Sequence, residues 1–179
     1  SLRGLFDERA PAPTVLELLQ HRSGAADYFE GRRGARLLDE VEAHPERVWT
    51  PDEMLGFARE RLQPVGRPGE RLRYSDTGFV LLGLLLERLT GEQYHETVMS
   101  RIVAPLGLER TFLPRLSSPL SGDETIAPCY LGAKDLSREP ALSCGWAGGG
   151  IASTPEDLLR FSEALVRTVS LTCEMKASM

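Results

Sequence analysis

The reading of this chain turns on R-P-G-E-R-L-R-Y-S-D-T-G-F-V-L-L-G-L-L-L-E-R-L-T-G, residues 67–91. Pro68-Gly69 signals a turn, Arg71–Tyr74 suits a short extended piece, and a helix is predicted from near Thr77 to Thr90-Gly91. Apolar residues go almost all round that helix, the pattern of a buried central helix rather than a surface one. In an extended segment, residues two apart point the same way. Tyr74 and Asp76 are therefore expected to face one cleft while Ser75 turns away. A phenol and a carboxylate converging beside a helix N-terminus can handle a proton. The same residues also suit a plainer architecture, with Tyr74 a buried ring whose hydroxyl is satisfied and Asp76 a helix cap.

Working outward, three helix starts share one chemistry. Thr14-Val-Leu-Glu17 is a capping box, in which the Thr hydroxyl takes the N3 amide and the Glu reaches back to the cap amide. Thr50-Pro51-Asp52-Glu53 repeats it with Pro at N1, where a missing N–H costs nothing. Thr154-Pro155-Glu156-Asp157 is similar, with acidic residues suited to the helix dipole. Helices are accordingly expected over about 15–21, closed by Gly24, and about 51–62, ending before Pro64. Two more are expected over about 93–103, stopping at Pro105, and about 155–169. The last carries Leu158, Leu159, Phe161, Leu165 and Val166 on one broad face. Strand signals are weak, confined to Arg71–Tyr74 and Thr125–Tyr130. Residues 114–150 are rich in Gly, Pro and Ser and read as mostly loop. The expected fold class is mainly α, with short strands and one long irregular region.

Composition narrows the function. A chain of 179 residues suggests about one domain, at roughly 150 residues each. The hydrophobic share is 41% and the charged share 26%, ordinary for a globular protein rather than a disordered one. Lys+Arg is 21 against Asp+Glu 26, a formal charge of −5 with no basic stripe, so no nucleic-acid partner is expected. The longest apolar run, Phe79–Leu86, is too short for a membrane span, which needs about 20 residues. Ser1–Ala10 does not read as a signal peptide, and the compartment is left open. Cys129, Cys144 and Cys173 form no C-x-x-C, so neither a metal nor any other cofactor is expected. Cys129 and Cys144 could pair only if their backbones approach closely. Cys144 reads as an idle thiol, His21 as a structural hydrogen-bonder at a helix end with lining of the cleft as the lesser alternative, and His44 and His95 as surface residues. Gly148-Gly149-Gly150 precedes a helix start; Gly148 and Gly149 are candidate substrate-binding positions. They equally suit tight turns and close packing.

Four stretches, in order, resemble the serine β-lactamase and penicillin-binding protein superfamily, specifically its class C-like branch. They are T-V-L-E-L-L-Q-H-R-S-G (14–24), P-G-E-R-L-R-Y-S-D-T-G-F-V-L-L-G-L-L-L-E-R-L-T-G (68–91), R-I-V-A-P-L-G-L-E-R-T-F (101–112) and A-G-G-G-I-A-S-T-P-E-D-L-L-R-F (147–161). The resemblance implies acyl-enzyme hydrolysis of a small amide, lactam or ester. That chemistry uses a Ser and Lys from S-x-x-K, a Tyr from Y-x-N and a late K-T-G or H-x-G strand. Tyr74 falls on the family's Tyr, which would activate the nucleophile and protonate the leaving group. Asp76 falls on the Asn. An Asn amide donates a hydrogen bond to a substrate carbonyl, whereas an ionised Asp only accepts and repels an anionic substrate.

The larger departure is absence. The lysines are Lys134 and Lys176, preceded three residues earlier by Leu131 and Cys173, so no S-x-x-K occurs. No K-T-G or H-x-G follows residue 150. Residues 1–179 are therefore expected to be one partial domain, the helical portion of an α+β parent without its sheet-forming flanks. Such a chain should be catalytically silent alone, with an apolar face that promotes self-association where the sheet would pack. The alternative expectation is a non-catalytic pseudoenzyme or binding module that keeps the cleft wall.

Overall fold

The computed structural model of the chain describes residues 2–30 and 34–167. Within them the helices are α1 (Val15–Leu19), α2 (Leu37–Ala43), α3 (Pro51–Arg61), α4 (Asp76–Thr90), α5 (Tyr94–Val98), α6 (Ala104–Leu106), α7 (Trp146–Gly149) and α8 (Pro155–Arg167). A π-turn, Met99–Val103, joins α5 to α6, and a 3-10 turn, Pro140–Gly145, leads into α7. Two short antiparallel strands, β1 (Tyr130–Leu131) and β2 (Lys134–Asp135), pair Tyr130 with Asp135 and Leu131 with Lys134. The described residues are thus mostly helical with one small sheet. Positions 168–169, expected to end the last helix, and Cys173 and Lys176 lie outside the described residues.

Local chemistry accounts for the helix ends. Thr14 Oγ1 accepts the Glu17 N–H while Glu17 takes the Thr14 N–H at 2.8 Å, and Thr50 and Glu53 make the same exchange. The first helix stops two residues short of its expected end. His21 sits at φ 52, in the left-handed region, and turns the chain before Gly24 at φ 77. A side chain on Gly24 would collide with the Gly66 carbonyl, so both the dihedral and the close approach require glycine. α4 begins at Asp76, one residue early, because Ser75 rather than Asp76 is its cap. Ser75 Oγ accepts the Gly78 N–H at 3.4 Å.

Two further differences have physical causes. α2 had no expected counterpart, because Arg36 is not a usual capping residue. Its start is held instead by Asp39, whose carboxylate takes the backbone N–H of Arg36 at 2.9 Å and of Gly34 at 2.8 Å. The helix expected to stop at Pro105 continues through it to Leu106. The π-turn at Met99–Val103 shifts the hydrogen-bond register just before Pro105, where the missing donor would otherwise break the ladder. Gly107 at φ 60 then ends it.

The chain forms two compact units. One comprises residues up to Leu86 together with Ile126–Gly150. Its core gathers Tyr28, Leu37, Val41, Met54 and Val80, all essentially without exposure. Loop residues stitch it. Tyr28 Oη donates to the Cys144 carbonyl at 3.1 Å, and the Trp49 N–H donates to Ser143 Oγ at 2.7 Å. The Ala141 N–H donates to the Pro45 carbonyl at 2.9 Å. Along α4, Val80 and Gly83 are buried, but Leu81, Leu82, Leu84, Leu85 and Leu86 are only partly so and Leu89 is exposed. The all-round burial expected of this helix is confined to its first turn, Asp76–Gly78, with Val80 and Gly83 the buried positions beyond it.

The other unit comprises Glu87–Thr125 and the residues from Ile151 on. Val98, Val103, Leu108 and Leu113 form its core, with Phe161 of α8 packed against them. Phe112 bridges Ala152. Asp157, 2% exposed, accepts the Arg110 N–H at 2.7 Å and the Thr111 hydroxyl at 2.9 Å. Of the broad apolar face on α8, Phe161 finds the core, while Leu158, Leu159 and Val166 stay exposed.

Candidate active site

Tyr74 and Asp76 meet at the N-terminus of α4. Residues 71–75 run extended beside the end of α1, tied by the Arg73 N–H to the His21 carbonyl at 2.7 Å. The Ser75 N–H donates to His21 Nδ1 at 3.2 Å. Ser75 points inward, its hydroxyl donating to the Ala26 carbonyl, and Thr77 donates to that same carbonyl at 2.7 Å. Alternation then turns Tyr74 and Asp76 to one side. The Tyr74 hydroxyl donates to Asp76 Oδ1 at 2.8 Å. Tyr74 is 52% exposed and Asp76 7%. Of the two architectures left open by the sequence, the convergent pair is the one present: the ring is not buried, and capping belongs to Ser75.

The electrostatics are one-signed. The hydrogen bond to Asp76, followed by burial and the negative charges of Asp76, Asp27 and Glu30, pushes the Tyr74 phenol up to about 12. Burial raises the Asp76 carboxyl; donation from Tyr74 opposes this and the charge of Glu30 adds to it. Asp27, 7% exposed, is raised chiefly by burial. It accepts the Phe29 N–H at 2.8 Å and the backbone N–H of Asp76. Tyr28 lies behind this pair, its phenol raised by burial. Among the described residues, no Lys, Arg or His contributes to the ionisation of Asp27 or Asp76.

Gly148 stands against the pair. A Cβ there would lie 3.1 Å from both the Asp76 Cβ and the Tyr28 hydroxyl, and 3.2 Å from Asp76 Oδ1. Its lack of a side chain permits this close packing. Gly149 is exposed, and a Cβ on it would meet nothing within 4 Å, so it has no comparable contact. Upstream of both, Trp146 is held at φ 25, a strained conformation for an aromatic residue, with its ring against Gly83. Cys144 is buried, its thiol pushed up to about 12 by that burial, which makes it a poor nucleophile; Cys129 is exposed, and neither is in a disulfide.

Asp27 and Tyr28 were not legible as site residues, because A-A-D-Y-F carries no motif and lies about fifty residues from Asp76. His21 carried the better signal, within a matched stretch, and the structure gives it two hydrogen bonds to the Tyr74 segment. Among the described residues, no group of three or more His, Cys, Asp or Glu is placed to hold a metal ion, and no helix is long and apolar enough to cross a membrane.

Comparison with known proteins gives a consistent picture. A D-aminopeptidase from Brucella anthropi is 28% identical over 164 residues, covering 90% of this chain and 29% of that protein. The crystal structure of a D-stereospecific amidohydrolase from a Streptomyces species superposes with a TM-score of 0.74 at 28% identity, over 96% of this chain and 55% of that one. D-amino acid amidase from Ochrobactrum anthropi SV3, complexed with L-phenylalanine amide, gives 0.66 at 31% identity, over 85% and 43%. The chain spans about a third or less of the length of the curated relatives it matches first, 35%, 20% and 29%. The family profile described as Beta-lactamase matches residues 5–176, nearly the whole sequence. On that match, and with the four ordered stretches inside it, the chain belongs to the β-lactamase family.

Proposed function

We propose that residues 1–179 are one partial domain of an acyl-transfer hydrolase of small amides, contributing the Tyr74–Asp76 wall of its cleft and silent alone. The 2.8 Å contact between Tyr74 Oη and Asp76 Oδ1 carries this reading. It allows a relay in which a nucleophile hydroxyl gives its proton to Tyr74 Oη as the Tyr74 proton passes to Asp76 Oδ1. No free phenolate, disfavoured here by its raised ionisation point, need accumulate. On leaving-group departure the protons return along the same path to the amine. The nucleophile itself must come from elsewhere, since no S-x-x-K exists in the sequence.

The carboxylates select the substrate. Asp76, with Asp27 and Glu30 near it, disfavours the anionic carboxylate of a β-lactam and favours an amide bearing an ammonium group. The D-aminopeptidase and D-amino acid amidase names of the relatives support that class. Gly148 serves here as packing against Asp76, and Gly149 as an open rim position.

The test has two arms. The chain alone, given D-amino acid p-nitroanilides, p-nitrophenyl esters and a chromogenic cephalosporin, should show no turnover above its Tyr74→Phe variant and no labelling by a fluorescent penicillin. Robust turnover overturns the silence. The surrounding reading frame should encode S-x-x-K before this segment and K-T-G or H-x-G after it. The protein so extended should cleave the p-nitroanilides, and Tyr74→Phe should abolish that.

The alternative, a binding module that keeps the cleft wall, requires a face that is polar or covered by a partner, whereas one apolar cluster here is exposed. Val15, Leu16 and Leu19 of α1 are exposed, as is Leu72 two residues before Tyr74. Light scattering with concentration-dependent sedimentation reads it: self-association marks these residues as an uncovered packing face, and a monodisperse monomer marks a finished surface.

A further inference from the structure

We infer that His21 is the positioning residue of Tyr74. Three observations converge on it. Its carbonyl takes the N–H of Arg73 at 2.7 Å, and its Nδ1 takes the N–H of Ser75 at 3.2 Å, so the residues on both sides of Tyr74 are fixed to one histidine. Its ring stacks on the Tyr74 ring, with centroids 4.4 Å apart and planes 30° apart, and on Phe79 at 5.0 Å and 27°. Its backbone is held at φ 52, a conformation that only a small fraction of non-glycine residues adopt. That conformation is what turns the chain out of α1 and brings the carbonyl and the ring to the same extended segment.

Each contact has a separate job. The two backbone ties fix the register and direction of residues 73–75, which decides that Tyr74 and Asp76 share a side. The stacked ring supports the face of a phenol that is 52% exposed and would otherwise sample several rotamers. Nδ1 must be unprotonated to accept from Ser75, so the neutral ring carries its proton on Nε2. His21 touches no reacting atom itself. It acts through the Tyr74–Asp76 hydrogen bond, whose geometry sets the proton affinity of the phenol.

This inference rests on Tyr74 being the proton-handling group, but its test reads the phenol and not turnover, so it is decided whether or not the amide-hydrolase reading stands. The chain is labelled with 3-fluorotyrosine, and the Tyr74 resonance is assigned by its loss in Tyr74→Phe. Its titration is followed by 19F NMR; fluorination displaces the whole scale downward, so differences between variants are what is read. His21→Ala should lower the Tyr74 midpoint by about one unit, about tenfold in ionisation constant. His21→Asn tolerates the left-handed backbone and places Oδ1 where Nδ1 stood but loses the stacked ring, so its midpoint should fall by less than that of His21→Ala. His21→Phe keeps a ring but no acceptor and should fall with His21→Ala. A folded His21→Ala whose melting point drops while its midpoint stays native would overturn the assignment and leave a merely structural histidine. Should His21→Ala fail to fold, His21→Asn against His21→Phe decides: equal midpoints refute the inference, and a lower one in the Phe variant supports it.

Discussion

Replacing Asp76 by Asn restores the residue type that the family's Y-x-N pattern carries and removes one charge without changing shape. The phenol of Tyr74 stands at about 12, about two units above the ordinary 10 and hence about a hundredfold in ionisation constant. The largest cause is the hydrogen bond to Asp76, and the charge of Asp76 contributes again after burial. In Asp76→Asn the charge disappears and the hydrogen bond falls to that of a neutral acceptor. The amide can also turn its N–H2 toward the phenolate and stabilise it, which the carboxylate never can. What remains besides is burial, together with Asp27 and Glu30. The Tyr74 midpoint should therefore move more than halfway back from about 12 toward about 10 without reaching it. The 19F titration of fluorotyrosine-labelled protein measures this directly, with circular dichroism to confirm that the helices persist. An unmoved midpoint in a folded Asp76→Asn variant would mean that the 2.8 Å contact does not set the phenol's proton affinity. The relay through Asp76 would then have no basis.

Three further outcomes follow from other contacts. Gly83→Ala ought to gain about 1 kcal/mol from helix propensity. Its methyl would lie 2.6 Å from the Ala147 Cβ and 2.8 Å from the Trp146 ring, so a net loss of about 1–3 kcal/mol is expected in urea unfolding; a stabilised variant would show that Trp146 yields. Asp157→Ala strips the acceptor from the Arg110 N–H and the Thr111 hydroxyl at a buried position, and should cost on the order of 2–3 kcal/mol by the same measurement. Asp27→Asn tests the raised carboxyl. A group whose folded ionisation point lies above its unfolded one stabilises fully below the unfolded value, near 3.9, and loses that contribution as pH rises through the folded value. The wild type should thus lose melting temperature from Asp27 as the pH rises above about 4, and Asp27→Asn should show a flatter profile; parallel profiles would place Asp27 in an ordinary solvated setting.

What the sequence disclosed was local. Thr14 with Glu17, and Thr50 with Glu53, announce helix starts because every atom of the capping box lies within four residues. The i, i+2 alternation from Tyr74 to Asp76 is equally local, and it alone places the pair on one side. The parts that stayed hidden depend on contacts between distant segments. Asp27 reaches the α4 N-terminus across about fifty residues, and Tyr28 reaches the Cys144 carbonyl across 116. α2 starts on an Asp39 that folds back to Gly34, with an Arg at the cap position that propensity does not favour. Pro105 is a helix stop by rule and a helix residue in fact, since the register shift that tolerates it is a property of the turn before it.

The exchange of an amide for a carboxylate at position 76 changes more than one hydrogen bond. With an amide there, the side chain could donate to a substrate carbonyl while the neighbouring phenol stayed free to exchange its proton with a lysine. With a carboxylate there, the phenol's own proton is already committed, and Asp27 and then Glu30 add negative charge to the wall behind it. A lysine from outside this chain would meet the pair as a counter-charge, drawn to Asp76 as much as to Tyr74, and its ammonium form would be stabilised rather than suppressed. The base in such a site is then better sought in the carboxylate than in the amine. Burial has raised Asp76 in the direction a base requires, and under the proposed relay the phenol would conduct between it and the nucleophile. This ordering of roles predicts that, in the protein extended by its flanking motifs, Asp76→Asn should lower kcat while relaxing the preference for ammonium-bearing amides over anionic ones. If the carboxylate only positions the phenol, the Asn amide oxygen can accept the Tyr74 hydroxyl in its place and kcat should stay near native.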